Sequence, residues 1–430
     1  MKTRVAPPRK KQILVQKYGG TSVATAKHIL AIADRVAKSV VDSQLVVVLS
    51  AMGKTTDELV SLANQVSKNP SGREMDLLLA TGEQVSVSLL GLALQDRGVS
   101  AVSLTATQCG IRTDDAFNIA RIQSIDTARI RRELDKGSVV VVAGFQGVNS
   151  EEEITTLGRG GSDITGAAVA VAMGAEVCEI YTDVDGVFSA DPALVPEASI
   201  WPSITYEAAI EMASSGAEVI HPRAAELCMA YNVPIHIRSS FHAEEGTWIR
   251  RSNEMVMEQA EVVGVSSEKK ITKITLLDVP DQPGFAARVF QDLAGSDISV
   301  RLIIQSASAE GRGRITFVLD ERHTEQMSQF IEEWQANGIT REGLLDQNVA
   351  KISIVGSRLA STPGLAARMF GVLAREQINI DCISSSEMKV ACVISAEHID
   401  RAVRAVHDEF FSKAKTGESS SPQRVRNDSA

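Results

Sequence analysis

Apolar and polar positions change period repeatedly over the first 250 residues. The unbroken apolar run over 45–49 (LVVVL) reads as a strand buried on both faces, and 99–104 and 139–143 read as further buried strands. Over 23–41 the apolar residues Ile29, Ile32, Val36 and Val40 recur at helical spacing, and further helical stretches follow over 57–67 and 73–97. A short strand over 13–16 opens the series, and strands over 177–182 and 233–237 close it. Between them a run of small apolar residues, 165–173, reads as a helix that can pack very close to a sheet. Ser162 or Asp163 can cap that helix and Gly174 can stop it. Strands alternating with helices imply an α/β fold, a mostly parallel sheet with helices on both faces.

The pattern changes after residue 250. Pro283-Gly284-Phe285-Ala286-Ala287-Arg288-Val289-Phe290 recurs as Pro363-Gly364-Leu365-Ala366-Ala367-Arg368-Met369-Phe370, and the same offset relates Ile298 to Ile378. Each copy reads as a ferredoxin-like βαββαβ unit. The second copy runs into a polar tail that cannot supply its last strand, which leaves a sheet position open. Val262-Val263-Gly264-Val265 is an apolar strand with no partner of its own. It is expected to fill that position, so that the first unit (about 272–346) is inserted in the second (262–268 plus 349–411). The organisation predicted is a flexible start (1–11), an α/β domain (12–250), a linker (251–261), the paired units (262–411) and a disordered tail (412–430).

Composition narrows the class. With 44% apolar but only 4% aromatic residues the core is aliphatic and Ala-rich, which suits a helix-covered sheet. A net charge of −10 argues against a nucleic-acid surface. The five cysteines show no metal spacing and read as reduced core residues of a cytoplasmic protein. Neither a signal peptide nor an 18-residue apolar run is seen, so no membrane association is expected.

Candidate chemistry lies in turns beyond the carboxyl ends of strands, where open α/β sheets bind ligands. Lys17-Tyr18-Gly19-Gly20-Thr21-Ser22 runs from a strand through a Gly-Gly turn into a helix, without the spacing of a Walker A loop. Lys17 is suited to neutralising phosphate as a point charge, although by itself it could equally be a surface lysine. Residues 158–163 (GRGGSD) precede the small-residue helix, and offer N–H groups and a cation to an anion. Thr182-Asp183-Val184-Asp185-Gly186 forms an acidic loop after the next strand. Thr81-Gly82-Glu83 falls inside a helical stretch, where Glu83 is either a carboxylate near the core or an exposed helix residue. His221, with no partner at ligand spacing, reads as a packing or capping residue, and no metal site is expected.

Six segments in order resemble the aspartate kinases of the amino-acid kinase superfamily, with two ACT domains. They are 17–23, Ser50-Ala51-Met52-Gly53 with Thr55-Thr56-Asp57, Thr81-Gly82-Glu83, Gly144-Phe145-Gln146-Gly147, 158–163 and 182–186; together with the doubled tail the likeness covers nearly all of 12–410. The resemblance implies phosphoryl transfer from ATP, with Mg²⁺, to the β-carboxylate of L-aspartate, the first step of lysine, threonine and methionine biosynthesis. It implies that Lys17 neutralises the transferring phosphate, with N–H groups from Gly19 and Gly20. Thr56, Glu83 and Arg159 would hold aspartate, Glu83 by its ammonium and Arg159 by a carboxylate. Ser162 and Asp163 would orient substrates and phosphates. Tyr18, Thr182, Asp183, the loop to Phe188, Glu218 and Val219 would line the nucleotide pocket. Lysine or threonine would act as effector near Asp281, Gln305, Ser385, Ser386 and Glu387. Association through the ACT domains is expected, with a possible regulatory chain started at Met255 or Met257. Ala193 and Glu218 stand where relatives often carry a basic residue, which bears on ATP affinity. The competing readings are another superfamily member, such as an acetylglutamate kinase, and a catalytically silent amino-acid sensor.

Overall fold

The computed structural model describes residues 11–217, 219–251, 261–296, 298–307, 311–357 and 359–412. Glu218, Met255 and Met257 lie outside the described residues. The first domain is built on an eight-stranded sheet. Its order is Ser203–Ile204, Thr247–Ile249, Ile235–Ser239, Val177–Thr182, Gln12–Tyr18, Ser43–Leu49, Val139–Ala143, Ala101–Leu104. All neighbours are parallel except Ile235–Ser239 with Thr247–Ile249. Strands Ser43–Leu49 and Val139–Ala143, inside the sheet, are buried on both faces as their apolar runs predict. On one face Val47, Leu49 and Val141 pack with Ile32 and Val36 of helix Ala26–Ser39 and with Leu90 and Leu94 of helix Thr81–Asp96. On the other, Val15, Val46 and Val140 pack with helices Gly161–Met173 and Pro222–Tyr231.

The single helix expected over 73–97 is two helices, Gly72–Leu79 and Thr81–Asp96, joined at Ala80. Taken together, Gly72–Asp96 is long and apolar enough to cross a membrane by length and composition only; charged residues interrupt it, and about half of it packs in the core as a core helix does. The sequence does not signal the edge strand Ser203–Ile204, its neighbour Thr247–Ile249, or a separate four-stranded sheet. That sheet runs Ile122–Ile125, Ile111–Thr113, Gln146–Val148, Ile154–Thr156. All are very short, and too few residues alternate in each to signal a strand.

The two repeats form two four-stranded sheets. The first is Leu302–Ala307, Arg312–Asp320, Ile271–Pro280, Glu342–Asp346, backed by helices Phe285–Ala294 and Thr324–Ala336. The second is Gly264–Glu268, Val349–Val355, Lys389–Ser395, Cys382–Ser385. Gly264–Glu268 pairs antiparallel with Val349–Val355, Val265 facing Ile354, in the edge position that Glu342–Asp346 holds in the first sheet. The whole first unit therefore lies in the chain between two paired strands of the second.

The second unit is also packed onto the α/β domain. Ala190, Val195 and Ala198, from the segment after Val177–Thr182, join its core beside Val265, Ile352 and Val406. Ser189 Oγ lies 2.9 Å from His407 Nε2, the Trp201 indole donates to the Val263 carbonyl at 2.7 Å, and Lys389 pairs with Glu211 at 2.6 Å.

Candidate active site

Four neighbouring strands, Gln12–Tyr18, Ser43–Leu49, Val139–Ala143 and Val177–Thr182, end at one edge of the large sheet, and the turns beyond them touch. Ser50 N–H donates to the Tyr18 carbonyl at 3.1 Å, Gly53 N–H to the Gly20 carbonyl at 3.0 Å, and Gly144 N–H to the Leu49 carbonyl at 2.9 Å. Side chains alternate along a strand, so Lys17 and Tyr18 face opposite ways. Tyr18 goes into the core, stacked on Tyr181 with centroids 4.6 Å apart, and burial pushes its phenol well above the usual range. Its side chain is thus a packing group and not part of a nucleotide pocket.

Lys17 faces helix Gly161–Met173. Gly166 lies so close that a Cβ there would stand 3.0 Å from Lys17 Cβ, which explains the small residues along this helix. Lys17 is 7% exposed, and its ammonium forms an ion pair with Asp163 in the helix's first turn. The expected cap by Ser162 or Asp163 is not formed. Gly160, at φ +67°, holds the N-cap position, and a Cβ on it would strike the His221 ring at 2.4 Å. Asp163 is free for Lys17 because it does not cap; its other oxygen accepts the His221 N–H at 3.2 Å. His221 in turn caps helix Pro222–Tyr231, as its sequence context suggested, accepting the Arg223 N–H through Nδ1.

Of the two turn glycines, Gly19 already donates its N–H to the Tyr181 carbonyl at 3.2 Å, so it has no N–H to offer a phosphate. The Gly20 N–H has no acceptor among the described residues. Ser162, 7% exposed, follows Gly161, whose N–H is already bonded to the Gly158 carbonyl.

Glu83 resolves the choice left open for it. It sits in the first turn of helix Thr81–Asp96, only 1% exposed, directly under the turn that follows Ser43–Leu49. One oxygen accepts the Ala51 N–H at 2.9 Å and the other is buried without a partner. Burial without a cation raises its pKa to about 8. Thr56, in the first turn of helix Thr55–Val66, is half-buried on the same turn system. Arg159, between Gly158 (φ +78°) and Gly160, is exposed at the site's rim.

On the fourth strand, Thr182 Oγ1 donates to Asp183 Oδ1 at 3.1 Å, and Asp185 accepts from the His242 ring at 2.7 Å. The loop then leaves the site. Phe188 is partly buried against the second ACT-like unit, on the core of that unit, which departs from the expectation that it lines a nucleotide pocket. Val219 is half-buried just before His221, its N–H bonded to the Ala217 carbonyl. The proposed effector residues are spread out. Asp281 is exposed just after strand Ile271–Pro280, Gln305 is exposed on Leu302–Ala307, and Ser385, Ser386 and Glu387 are exposed at the end of Cys382–Ser385. Among the described residues no hydrogen bond or ion pair joins these three groups.

Residues 12–239 match the amino acid kinase family, and 273–338 and 352–410 each match an ACT domain. The chain is 46% identical over 400 residues to an aspartokinase of Geobacillus stearothermophilus, covering 93% of this chain and 97% of that one. It superposes on aspartokinase III of E. coli, solved with aspartate and ADP in the R-state, with a TM-score of 0.80 at 26% identity, covering 93% of this chain and all of that one. The same enzyme with lysine and aspartate in the T-state gives 0.72, over 93% of this chain and 99% of that one. With its catalytic sheet, its Gly-rich turns and its two ACT units matched over nearly their full length, the chain belongs to the aspartokinases.

Proposed function

We propose that the site transfers the γ-phosphoryl group of ATP to the β-carboxylate of L-aspartate, giving ADP and 4-phospho-L-aspartate. The observation that carries this reading is the Lys17–Asp163 ion pair at a glycine-preceded helix N-terminus, beside the buried, half-unpartnered Glu83. The aspartate carboxylate, with a pKa near 4, is already a nucleophile, so no general base is needed. What the reaction needs is two anions held together in line, which asks for fixed cations and N–H dipoles. Lys17 faces the transferring group, with the free Gly20 N–H and the N-terminus of Gly161–Met173. Asp163 holds the ammonium of Lys17 in place. Glu83 receives the substrate ammonium, Arg159 its α-carboxylate, and Thr56 and Ser162 the remaining polar edges. Thr182, Asp183 and Val219 border the nucleotide.

Among the described residues no cluster of three or more His, Cys, Asp or Glu could hold a metal. Mg²⁺ carried on nucleotide phosphates needs no such cage and takes one or two carboxylates, a part that suits Asp163. When bound, it would supply charge neutralisation between the phosphates.

The ACT units support an amino-acid effector, lysine or threonine, binding around Asp281, Gln305 and Ser385 to Glu387. Ile303 and Ile383, about half exposed on the sheets of the two units, support association of chains through these sheets. A cytoplasmic location belongs to the same reading. The test is ADP release with ATP, Mg²⁺ and L-aspartate, with hydroxylamine trapping of the acyl phosphate, repeated with lysine and threonine. Aspartate-independent ADP release, or none, would overturn the assignment.

A further inference from the structure

Asp76 is the most deeply buried carboxylate near the site and touches none of the reacting groups. It is 0% exposed, on helix Gly72–Leu79, which leads through Ala80 into the helix bearing Glu83. No cation pairs with it among the described residues. Its hydrogen bonds go instead to two segments distant in sequence. Oδ2 accepts the N–H groups of Thr156 at 2.7 Å and Asn118 at 2.9 Å, and Oδ1 accepts the Thr156 hydroxyl at 2.7 Å. Burial raises its pKa against the effect of those bonds.

Both segments lead to Arg159. Thr156 ends the strand Ile154–Thr156, from which the chain passes through Leu157 into Gly158-Arg159-Gly160. Asn118, at φ +67°, lies across from that turn: a Cβ on Gly158 would stand 3.1 Å from the Asn118 carbonyl. A second tie runs parallel to the first, the Gln146 amide donating to the Ala80 carbonyl at 3.0 Å while Gln146 pairs in register with Thr156.

We propose that Asp76 is a positioning residue for the amino-acid substrate. It locks the turn carrying Arg159 to the helix pair carrying Glu83, and so sets the span between the groups that grip the substrate's carboxylate and ammonium. The proposal rests on the assignment of Glu83 and Arg159 to aspartate given above. A buried carboxylate is well suited to this task, because its two oxygens can take three donors that would otherwise be unsatisfied. The isosteric amide can do nearly the same: its oxygen takes the two backbone N–H groups, and its NH₂ donates to the Thr156 hydroxyl oxygen.

The experiment measures aspartate and ATP KM, kcat, and the aspartate-over-glutamate ratio of kcat/KM for Asp76→Ala, Thr156→Val and Asp76→Asn, each checked for native circular dichroism. Asp76→Ala is expected to raise aspartate KM by roughly tenfold or more, with ATP KM within about twofold. It should also lower the aspartate-over-glutamate ratio by about fivefold, since a loosened span admits a longer substrate. Thr156→Val removes one bond and should give a shift of about threefold, and Asp76→Asn should recover most of the loss. A purely structural role would reduce the active fraction without moving aspartate KM alone. Unchanged aspartate KM in folded Asp76→Ala, or equal rises for both substrates, would overturn the proposal; should that variant not fold, unchanged aspartate KM in Thr156→Val would do so. Arg159→Ala and Glu83→Gln run in parallel separate the two levels. If they raise aspartate KM and Asp76→Ala does not, the positioning role fails and the substrate assignment stands. If they do not, the substrate assignment fails and the inference with it.

Discussion

Aspartate affinity is expected to climb as pH rises from 6 to 8.5, and the cause is Glu83. Burial holds its pKa at about 8, against 4.5 for an ordinary glutamate, which disfavours the ionised form by on the order of 5 kcal/mol. Burial dominates, and the one hydrogen bond from Ala51 offsets only part of it. At pH 7 the empty site therefore holds mostly the neutral acid. An incoming ammonium restores the charge, so binding releases a proton: about 0.9 per site at pH 7 for a pKa near 8. Below pH 8 the apparent aspartate affinity should fall by about tenfold per unit. Calorimetry in two buffers of different ionisation enthalpy counts the proton, and steady-state aspartate KM from pH 6 to 8.5 gives the slope. Glu83→Gln should bind aspartate weakly with a flat profile. The stability sign follows from the same shift. The folded pKa lies above the unfolded one, so the group does not oppose folding below about pH 4.5, and its burial increasingly opposes folding as pH rises towards 8. Glu83→Gln should then be the more stable protein at pH 8 in the absence of substrate. A wild-type KM that is flat over this range, with no proton released, would refute the assignment of Glu83.

Lys17→Ala and Asp163→Ala should each lower kcat by at least roughly 10²-fold in folded protein, since groups at developing charge commonly contribute a few kcal/mol; near-normal turnover in both would sink the phosphoryl-site reading. Gly160→Ala adds a Cβ at positive φ within 2.4 Å of the His221 ring, so thermal unfolding should move down by the equivalent of about 1–3 kcal/mol and activity should drop; an unchanged Tm would contradict the N-cap geometry. Ser189→Ala removes the bond to His407 and should retain basal turnover while shifting the half-inhibiting lysine or threonine concentration by at least about threefold; an identical inhibition curve, or no response of the unaltered enzyme to either amino acid, would refute coupling through this contact.

The legible parts of this sequence are those in which one local rule acts alone. Unbroken apolar runs marked the central strands, and helices Phe285–Ala294, Thr324–Ala336 and Leu365–Arg375 begin and end where the repeat and their apolar spacing put them. The missing last strand of the second repeat pointed to the partner that Gly264–Glu268 supplies. What could not be read depends on contacts between distant segments. The burial of Glu83 follows from the Ala51 turn laid over it, not from its neighbours in sequence. Tyr18 and Lys17 look alike as turn residues, and only the sheet's two faces separate the core group from the site group. A Gly-Gly turn offers two N–H groups to a phosphate, but strand Val177–Thr182, far along the chain, takes that of Gly19. Asp76 gave no signal at all: an aspartate inside an amphipathic helix reads as solvated until Thr156 and Asn118 are placed against it.

The segment after Val177–Thr182 shows why an ACT unit need not touch a substrate to matter to it. Its first residues, Thr182 and Asp183, belong to the crevice at the sheet's edge. Within a few residues the same segment becomes part of another core: Phe188 packs on the second unit, Ser189 meets His407, and Ala190 and Val195 lie among Ile352 and Val406. Val265, the strand that completes the second unit, donates its N–H to the Ser189 carbonyl at 2.8 Å. A packed core moves between discrete arrangements and does not stretch, so a shift of the second unit against the sheet must carry this loop with it. Because the first unit is threaded between Gly264–Glu268 and Val349–Val355, an amino acid that prefers one arrangement of the two units also bears on the strand bonded to Ser189. Its differential affinity for the two arrangements is then the whole of the energy available to move this loop.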